Sequence, residues 1–328
     1  MKEAILNLLK KNNDDFLSGQ IISEKLNVSR TSIWKHINIL KKDGYIIDSS
    51  SKKGYKLISS PDILTYEEIK DHLHTKYIGK NFLHFDTIDS TNTEAKRLAD
   101  NGEPCGTVIV SEEQNTGHGR LGRAWISPKY KGIWVSIILR PEVNPIKVPK
   151  ITQVGAASMI NALKSLKIDA QVKWPNDIII NHKKICGILT EMSAELNRVH
   201  YVVMGIGINA NLDKEDFSED VFKKATSLKI ETGSKIDRKL LIANFLNEFE
   251  ELYSEFSTNS TVKKSIDICK KNSAIIGRDI KIISDGVETY ARAIDISEEG
   301  QLVVKYQDGS IKNLISSEIS VRGLNEYI

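Results

Sequence analysis

Residues 114–125 read Gln114-Asn115-Thr116-Gly117-His118-Gly119-Arg120-Leu121-Gly122-Arg123-Ala124-Trp125. Glycines let backbone amides approach a phosphate, arginines neutralise its charge through paired hydrogen bonds, and an aromatic ring can cover a base. The segment lacks the Gly-Lys-Ser/Thr of a Walker A loop, and it is not a dinucleotide fingerprint followed by a helix. It therefore predicts a phosphate-binding loop of another kind, with a flexible surface loop as the alternative.

From about residue 81 onward, apolar segments of strand length alternate with helix-like stretches. They comprise residues 132–139, 150–166, 178–180, 185–192 and 201–208. This alternation predicts an α/β or α+β domain. We place it at residues 65–270, within a chain that is α+β as a whole.

Three further motifs bring polar or glycine residues to the ends of predicted elements. They are Asp89-Ser90-Thr91-Asn92, Lys173-Trp174-Pro175-Asn176-Asp177 with Lys183-Lys184-Ile185-Cys186-Gly187-Ile188-Leu189, and Met204-Gly205-Ile206-Gly207-Ile208-Asn209. The first motif begins a helix, where hydroxyls, an amide and free N–H groups can bind a small polar ring. The second offers a fixed positive charge beside a glycine-bearing strand, and the third admits a ligand at its glycines. Helix capping and exposed hairpin lysines are the alternative interpretations.

The first sixty residues predict a DNA-binding module. Apolar residues recur at helical spacing in three short segments, and the third segment exposes a polar face. A basic hairpin tip follows, which completes a winged helix-turn-helix at residues 1–60. The candidate DNA contacts are Arg30, Thr31, Ser32, Lys35, Lys52 and Lys53. Residues 1–60 carry eleven Lys or Arg against six Asp or Glu, although a helical protein-contact module with solvated lysines is the alternative.

The end of the chain predicts a small β domain at residues 274–328. Short alternating strands are broken by Asp285-Gly286, Glu299-Gly300 and Asp308-Gly309, which are hairpin signals. The expected result is a small barrel resembling an SH3 domain.

Composition excludes several classes of protein. The chain has 328 residues, 40% of them hydrophobic and 27% charged, as is ordinary for a globular protein of two or three domains. No apolar run is long enough to cross a bilayer, so we expect a cytoplasmic protein without a membrane partner. Cys105, Cys186 and Cys269 are far apart in the sequence, which favours neither disulfides nor a zinc site.

In this order, with the winged helix ahead of them, the motifs resemble those of bifunctional biotin protein ligases that also repress the biotin operon. The resemblance covers nearly the whole chain and rests on the combination of residues 90–92, 117–125, 173–177 and 184–189. It implies an ATP-dependent ligase that joins biotin to a lysine of a biotin carboxyl carrier domain by way of biotinyl-5′-AMP. It also implies a biotin-ligase catalytic domain between the winged helix and the SH3-like domain.

The same resemblance assigns roles to individual residues. On the biotin side it implies Ser90, Thr91, Asn92, Gln114, His118, Gly119, Arg120, Lys184, Gly187 and Leu189. On the ATP and adenylate side it implies Gly117, Arg120, Arg123, Trp125, Asn176 and Asn209. Lys184, Arg120 and Asp177 are the implied catalytic residues. Mg²⁺ would arrive with ATP, with no metal site held by the protein and no permanently bound cofactor.

The chain departs from the family pattern at two positions, because the family often has arginine where this chain has His118 and Leu121. These changes put phosphate affinity or adenylate retention in doubt, although Arg120 and Arg123 remain. The implied regulatory form is an adenylate-bound homodimer on palindromic operator DNA. The alternatives are a lipoate or octanoyl-type protein ligase and a biotin-sensing repressor without catalytic activity.

Overall fold

The structure is a computed structural model that describes residues 1–12, 14–284, 286–315, 320–323 and 327. The chain folds into two units, Met1–Asp71 and His72–Ile328. The first unit continues past residue 60 and takes in the segment at residues 65–69, which the sequence analysis places at the start of the central domain. The division into domains at residues 1–60, 65–270 and 274–328 stays a prediction.

The first unit is the predicted winged helix-turn-helix. Its elements are α1 (Lys2–Lys11), α2 (Gly19–Leu26), α3 (Arg30–Lys42), β1 (Ile46–Ser50), β2 (Gly54–Ser59), α4 (Tyr66–Ile69) and a 3₁₀ turn at Lys70–His72. Ser18 caps α2 by accepting a hydrogen bond from the N–H of Ile21, and Ser29 caps α3 in the same way from Ser32. Strands β1 and β2 pair antiparallel and form the wing.

The apolar positions of the three helices form the core of this unit. Ile5, Leu9, Ile22, Ile33, Ile37 and Leu40 are buried, as their spacing predicts. Ile21, which belongs to the same predicted set, is instead 42% exposed. Trp34 lies on the outside of α3 with 57% of its surface exposed, so the exposed face of this helix is less polar than the sequence analysis suggests.

The second unit is built on a mixed seven-stranded sheet, counted over the described residues. Its strands are β3 (Phe82–Phe85), β4 (Val108–Ser111), β5 (Ile133–Leu139), β6 (Gln171–Lys173), β7 (Asp177–Ile180), β8 (Lys183–Glu195) and β9 (Arg198–Ile208). The strand order is β3-β4-β5-β9-β8-β7-β6, and the β3–β4 pair is parallel whereas the other pairs are antiparallel. The predicted mixed α/β domain is therefore confirmed.

Helices cover this sheet and connect its strands. They are α5 (Thr91–Asp100), α6 (Lys150–Ser165), α7 (Glu219–Phe222), α8 (Leu228–Thr232), α9 (Arg238–Asn259) and α10 (Lys263–Lys271), with 3₁₀ turns at Arg120–Gly122, Pro145–Lys147 and Lys214–Asp216. Helix α6 is buried on most of its surface because it lies between the sheet and α9. Within the described part of the chain, no helix has both the length and the apolar character that a membrane span requires.

The C-terminal strands form a small antiparallel sheet within the second unit. They are β10 (Asp279–Ser284), β11 (Val287–Ile296), β12 (Leu302–Lys305), β13 (Ile311–Leu314) and β14 (Ser320–Gly323), in the order β13-β12-β11-β10-β14. Gly286, Gly300 and Gly309 adopt positive φ angles at the predicted turns; Asp285 lies outside the described residues. The Gly300 turn contacts the catalytic sheet, since its carbonyl accepts a hydrogen bond of 2.9 Å from Trp174 Nε1.

Candidate active site

A cavity of about 950 Å³ lies where β7, β8 and β9 meet the Gly-rich loop and strand β14. It gathers residues from every motif singled out in the catalytic domain. The predicted residues that line it are Ser90, Thr91, Asn92, Gln114, His118, Gly119, Arg120, Arg123, Trp125, Asn176, Asp177, Lys184, Gly187, Leu189 and Asn209. Gly117 lies behind this lining, where its carbonyl accepts a hydrogen bond from the Trp125 N–H at 2.8 Å.

One wall of the cavity is the N-terminus of α5, where polar groups converge as predicted. Ser90 is the N-cap residue, but its side chain makes no capping hydrogen bond. The Gln114 side-chain oxygen instead accepts from the backbone N–H of Thr91 at 2.8 Å, and the Gln114 amide donates to Ser127 Oγ at 2.9 Å. These bonds fix the orientation of the Gln114 amide.

Asn92 belongs to the same wall and is 5% exposed. Its Nδ2 donates to Glu191 Oε2 at 2.8 Å, and its Oδ1 accepts from Ser136 Oγ at 2.6 Å. A Cβ at Gly205 would come within 2.0 Å of Asn92 Oδ1, so the glycine on β9 is needed for this side chain to fit. The sequence analysis missed Ser136 and Glu191.

The Gly-rich loop closes on itself as a small hairpin. The N–H of Gly119 donates to the Arg123 carbonyl at 2.8 Å, and His118 pairs with Ala124 across the loop. Leu121 stands at its tip with a φ of 57° and 74% of its surface exposed. The Leu121 side chain therefore lies away from the hydrogen bond between Gly119 and Arg123 that closes the loop.

The Arg120 side chain extends from this loop to Asn176, in the segment Lys173-Trp174-Pro175-Asn176-Asp177. Its Nη1 donates to Asn176 Oδ1 at 3.2 Å, while Asn176 Nδ2 donates to the Ile188 carbonyl at 2.9 Å. Burial lowers the pKa of Arg120, and the nearby carboxylate of Asp177 opposes that shift. A guanidinium remains charged even so, and a charge at this position suits the binding of an anion.

Asp177 is the centre of a buried charge cluster. Its Oδ1 lies 2.5 Å from Lys184 Nζ, and its Oδ2 accepts a hydrogen bond from Tyr327. Burial raises the pKa of Asp177, but the ammonium groups of Lys184 and Lys173 outweigh it and hold the pKa below its ordinary value. The carboxylate is therefore ionised and bound to its neighbours.

Lys173 is a further cation of this cluster that the sequence analysis did not assign. It is 4% exposed, and its Nζ lies 3.2 Å from the centroid of the Tyr327 ring. Burial lowers the pKa of Lys173 to about 7, with repulsion from Lys184 adding to the shift and attraction to Asp177 opposing it. The cluster thus sets two lysines against one carboxylate, and Lys173 loses its proton near neutral pH.

Trp125 lies against the glycines of the two central strands. A Cβ at Gly207 would come within 2.5 Å of its indole ring, and one at Gly187 within 2.9 Å. Lys184 Nζ lies 4.9 Å from the Trp125 ring centroid, which is a cation–π distance. Nearby, Asn209 is 4% exposed and donates from Nδ2 to the Thr226 carbonyl at 3.0 Å, which fixes its amide.

The predicted DNA contacts lie in the first unit. Arg30, Thr31 and Lys35 are exposed on α3, Ser32 is half-buried in the first turn of the helix, and Lys52 and Lys53 are exposed at the tip of the wing. Arg30, Thr31 and Lys52 line a groove between α3 and the wing, and Trp34 also lines it.

Three family models match successive segments of the chain. The model of the biotin/lipoate A/B protein ligase family matches residues 84–209, that of an HTH domain residues 2–56, and that of the biotin protein ligase C-terminal domain residues 275–322. The bifunctional ligase/repressor BirA of Bacillus spizizenii is 38% identical over 98% of this chain and 98% of its own length. The chain belongs to this family of bifunctional ligase/repressors.

More distant members of the family agree with this assignment. The bifunctional ligase/repressor BirA of Escherichia coli is 30% identical over 94% of both chains. The structure of biotin protein ligase from Aquifex aeolicus in complex with biotin and ATP has a TM-score of 0.65 and 29% identity, and it covers 74% of this chain and 99% of that one. The predicted order of winged helix, ligase domain and C-terminal β domain is that of this bifunctional ligase/repressor family.

Proposed function

We propose that this protein joins biotin to a lysine of a biotin carboxyl carrier domain by way of biotinyl-5′-AMP, and that it represses the biotin operon. The observation that carries the proposal is a single cavity that holds Arg120, Lys184 and the polar start of α5. The cations suit two anions that must react, and the polar wall suits a ring with both donors and acceptors. The helix-turn-helix unit accounts for the repressor activity.

Two anions must meet in the first step. A biotin carboxylate oxygen attacks the α-phosphorus of ATP, the bond to the β-phosphate oxygen breaks, and pyrophosphate leaves with Mg²⁺. Carboxylate and triphosphate repel each other, so Arg120 and Lys184 are needed to hold them in line and to stabilise the charge that develops at phosphorus. The residues of the Gly-rich loop from Gly117 to Arg123 bind the phosphate beside them.

The second step transfers biotin to the carrier. The neutral ε-amine of the carrier lysine attacks the carbonyl carbon of the mixed anhydride, the acyl–phosphate bond breaks, AMP leaves, and the proton lost by the nitrogen passes to solvent. Asp177 is a weak base because its pKa is held low by Lys184 and Lys173. We therefore assign it the tasks of orienting Lys184 and attracting the incoming amine, and not that of removing the proton.

The polar wall binds the ureido ring of biotin in this proposal. Ser90, Thr91, Asn92 and Gln114 supply hydroxyls and amides, with Gly187 and Leu189 supplying backbone groups and His118 and Gly119 closing over the ligand. Trp125, Asn176 and Asn209 bind on the adenine side. Such a mixture of fixed donors and acceptors rejects ligands that cannot match it.

Repression in this proposal depends on whether carrier domains consume the bound adenylate. When carrier domains are scarce the adenylate stays bound, and we propose that the ordered Gly-rich loop then favours a symmetric homodimer whose winged helices bind a palindromic operator. Both activities need cytoplasmic ATP and DNA, so we place the protein in the cytoplasm.

Incubation with ATP, Mg²⁺, biotin and a biotin carboxyl carrier domain tests the ligase, with blotting for lysine-linked biotin. Lipoate in place of biotin tests the related lipoate ligase activity, and we expect no transfer. Biotin-dependent pyrophosphate release excludes a repressor that only senses biotin. A gel shift on the biotin operator tests repression: affinity should rise with biotin plus ATP, and affinity that does not change contradicts the regulatory proposal.

A further inference from the structure

Glu191, on strand β8, contacts Asn92 in the polar wall of the cavity at the start of α5. Glu191 is not itself one of the residues that line the cavity. Its Oε1 lies 2.6 Å from Lys96 Nζ, its Oε2 accepts from Asn92 Nδ2 at 2.8 Å, and His118 Nε2 lies 4.0 Å from the same oxygen. The Glu191 side chain is 27% exposed. One carboxylate thus holds two side chains of α5, and His118 of the Gly-rich loop lies beyond hydrogen-bond distance.

The orientation of the Asn92 amide follows from this contact. A carboxylate can only accept hydrogen bonds, so Asn92 must turn its NH₂ group to Glu191 and its carbonyl oxygen to Ser136. Ser136 is fully buried and has one hydroxyl proton, which it gives to Asn92 Oδ1. Its oxygen also lies 2.8 Å from Thr91 Oγ1, whose own proton goes to Gln114 Oε1 at 3.1 Å. A chain of hydrogen bonds with one direction therefore runs from Ser136 through Asn92 to Glu191.

We propose that Glu191, held in place by Lys96, is a positioning residue. It fixes which groups of the polar wall at the start of α5 act as hydrogen-bond donors and which act as acceptors. It decides which way Asn92 presents its donor and acceptor. The inference rests on the proposed function, in which Asn92 and Thr91 bind biotin. It predicts that Glu191 governs biotin affinity and has no part in binding ATP.

Glu191→Gln is the decisive variant. A glutamine of the same shape can donate as well as accept, and it gives Lys96 no charge to pair with. We expect the biotin Kd by calorimetry to rise about tenfold or more, as loss of a hydrogen bond to a charged group implies. The KM for ATP and the kcat at saturating biotin, from pyrophosphate release, should match the wild type.

Glu195→Gln is the matched control, because Glu195 lies on the same strand with its side chain 78% exposed. Its biotin Kd should equal that of the wild type. Ser136→Ala breaks the other end of the same chain of hydrogen bonds and should reproduce the Glu191→Gln effect, with the double variant less than additive. Ser136→Ala also decides the matter if Glu191→Gln does not fold, as judged by its melting temperature.

Wild-type protein that does not bind biotin overturns the proposed function itself. Wild-type protein that binds biotin, with Glu191→Gln and Ser136→Ala binding equally well, overturns only the role of Glu191. A parallel loss of ATP and biotin binding in the variants overturns it too, because that result indicates general damage to the cavity.

Discussion

Substitution of Lys184 by methionine tests the electrostatic core of the site. The side chain is 21% exposed, and its ammonium group lies 2.5 Å from Asp177 Oδ1. Methionine keeps the apolar contact with Trp125 but removes the charge. Asp177 keeps its hydrogen bond from Tyr327 and its attraction to Lys173, so the cluster loses one of its two lysine charges and the fold is retained.

The size of the effect follows from the burial of this charge. Loss of one preorganised group that stabilises developing charge costs about 3–4 kcal/mol, or roughly 10²–10³-fold in rate. Since Arg120 remains, we expect kcat/KM for biotin-dependent pyrophosphate release to fall by about 10²–10³-fold, mostly through kcat. Lys263→Met is the control, because this lysine is 73% exposed on α10. Activity of Lys184→Met equal to that of the control would refute the reasoning.

Other substitutions test other parts of the molecule. Gly205→Ala places a Cβ 2.0 Å from Asn92 Oδ1, so biotin affinity by calorimetry should fall by about tenfold or more; unchanged affinity contradicts this packing. Arg30→Ala should weaken operator binding in a gel shift and leave pyrophosphate release unchanged; equal operator binding excludes Arg30 as a contact. Burial lowers the pKa of Lys173 to about 7 from 10.5. The unfolded chain therefore binds more protons between these values, so stability rises with pH there, and Lys173→Met should remove this rise in urea titrations across that window.

The helix-turn-helix could be predicted because its helices have one buried face each. Ile33, Ile37 and Leu40 recur at helical spacing and are buried. The place of the Gly-rich loop at the cavity could be anticipated for another reason, since closely spaced glycines and arginines suit an anion site; its binding of phosphate stays a prediction. Both signals lie within a dozen residues of sequence.

Ser136 and Glu191 could not be predicted. Every residue of β5 is buried, so the strand shows no alternation that would mark the face on which Ser136 lies. The position of Glu191 depends on the pairing of β8 with β9, which the sequence of one strand does not define. Tyr327 meets Asp177 across 150 residues of sequence, and no local pattern records such a contact.

A crystal structure of the wild-type protein with biotin and a non-hydrolysable ATP analogue is the most direct measurement. The account predicts that the Arg120 guanidinium and the Lys184 ammonium each lie within about 3 Å of oxygens of the biotin carboxylate or the α-phosphate. Binding of either ligand outside the cavity, or beyond reach of both cations, would contradict it.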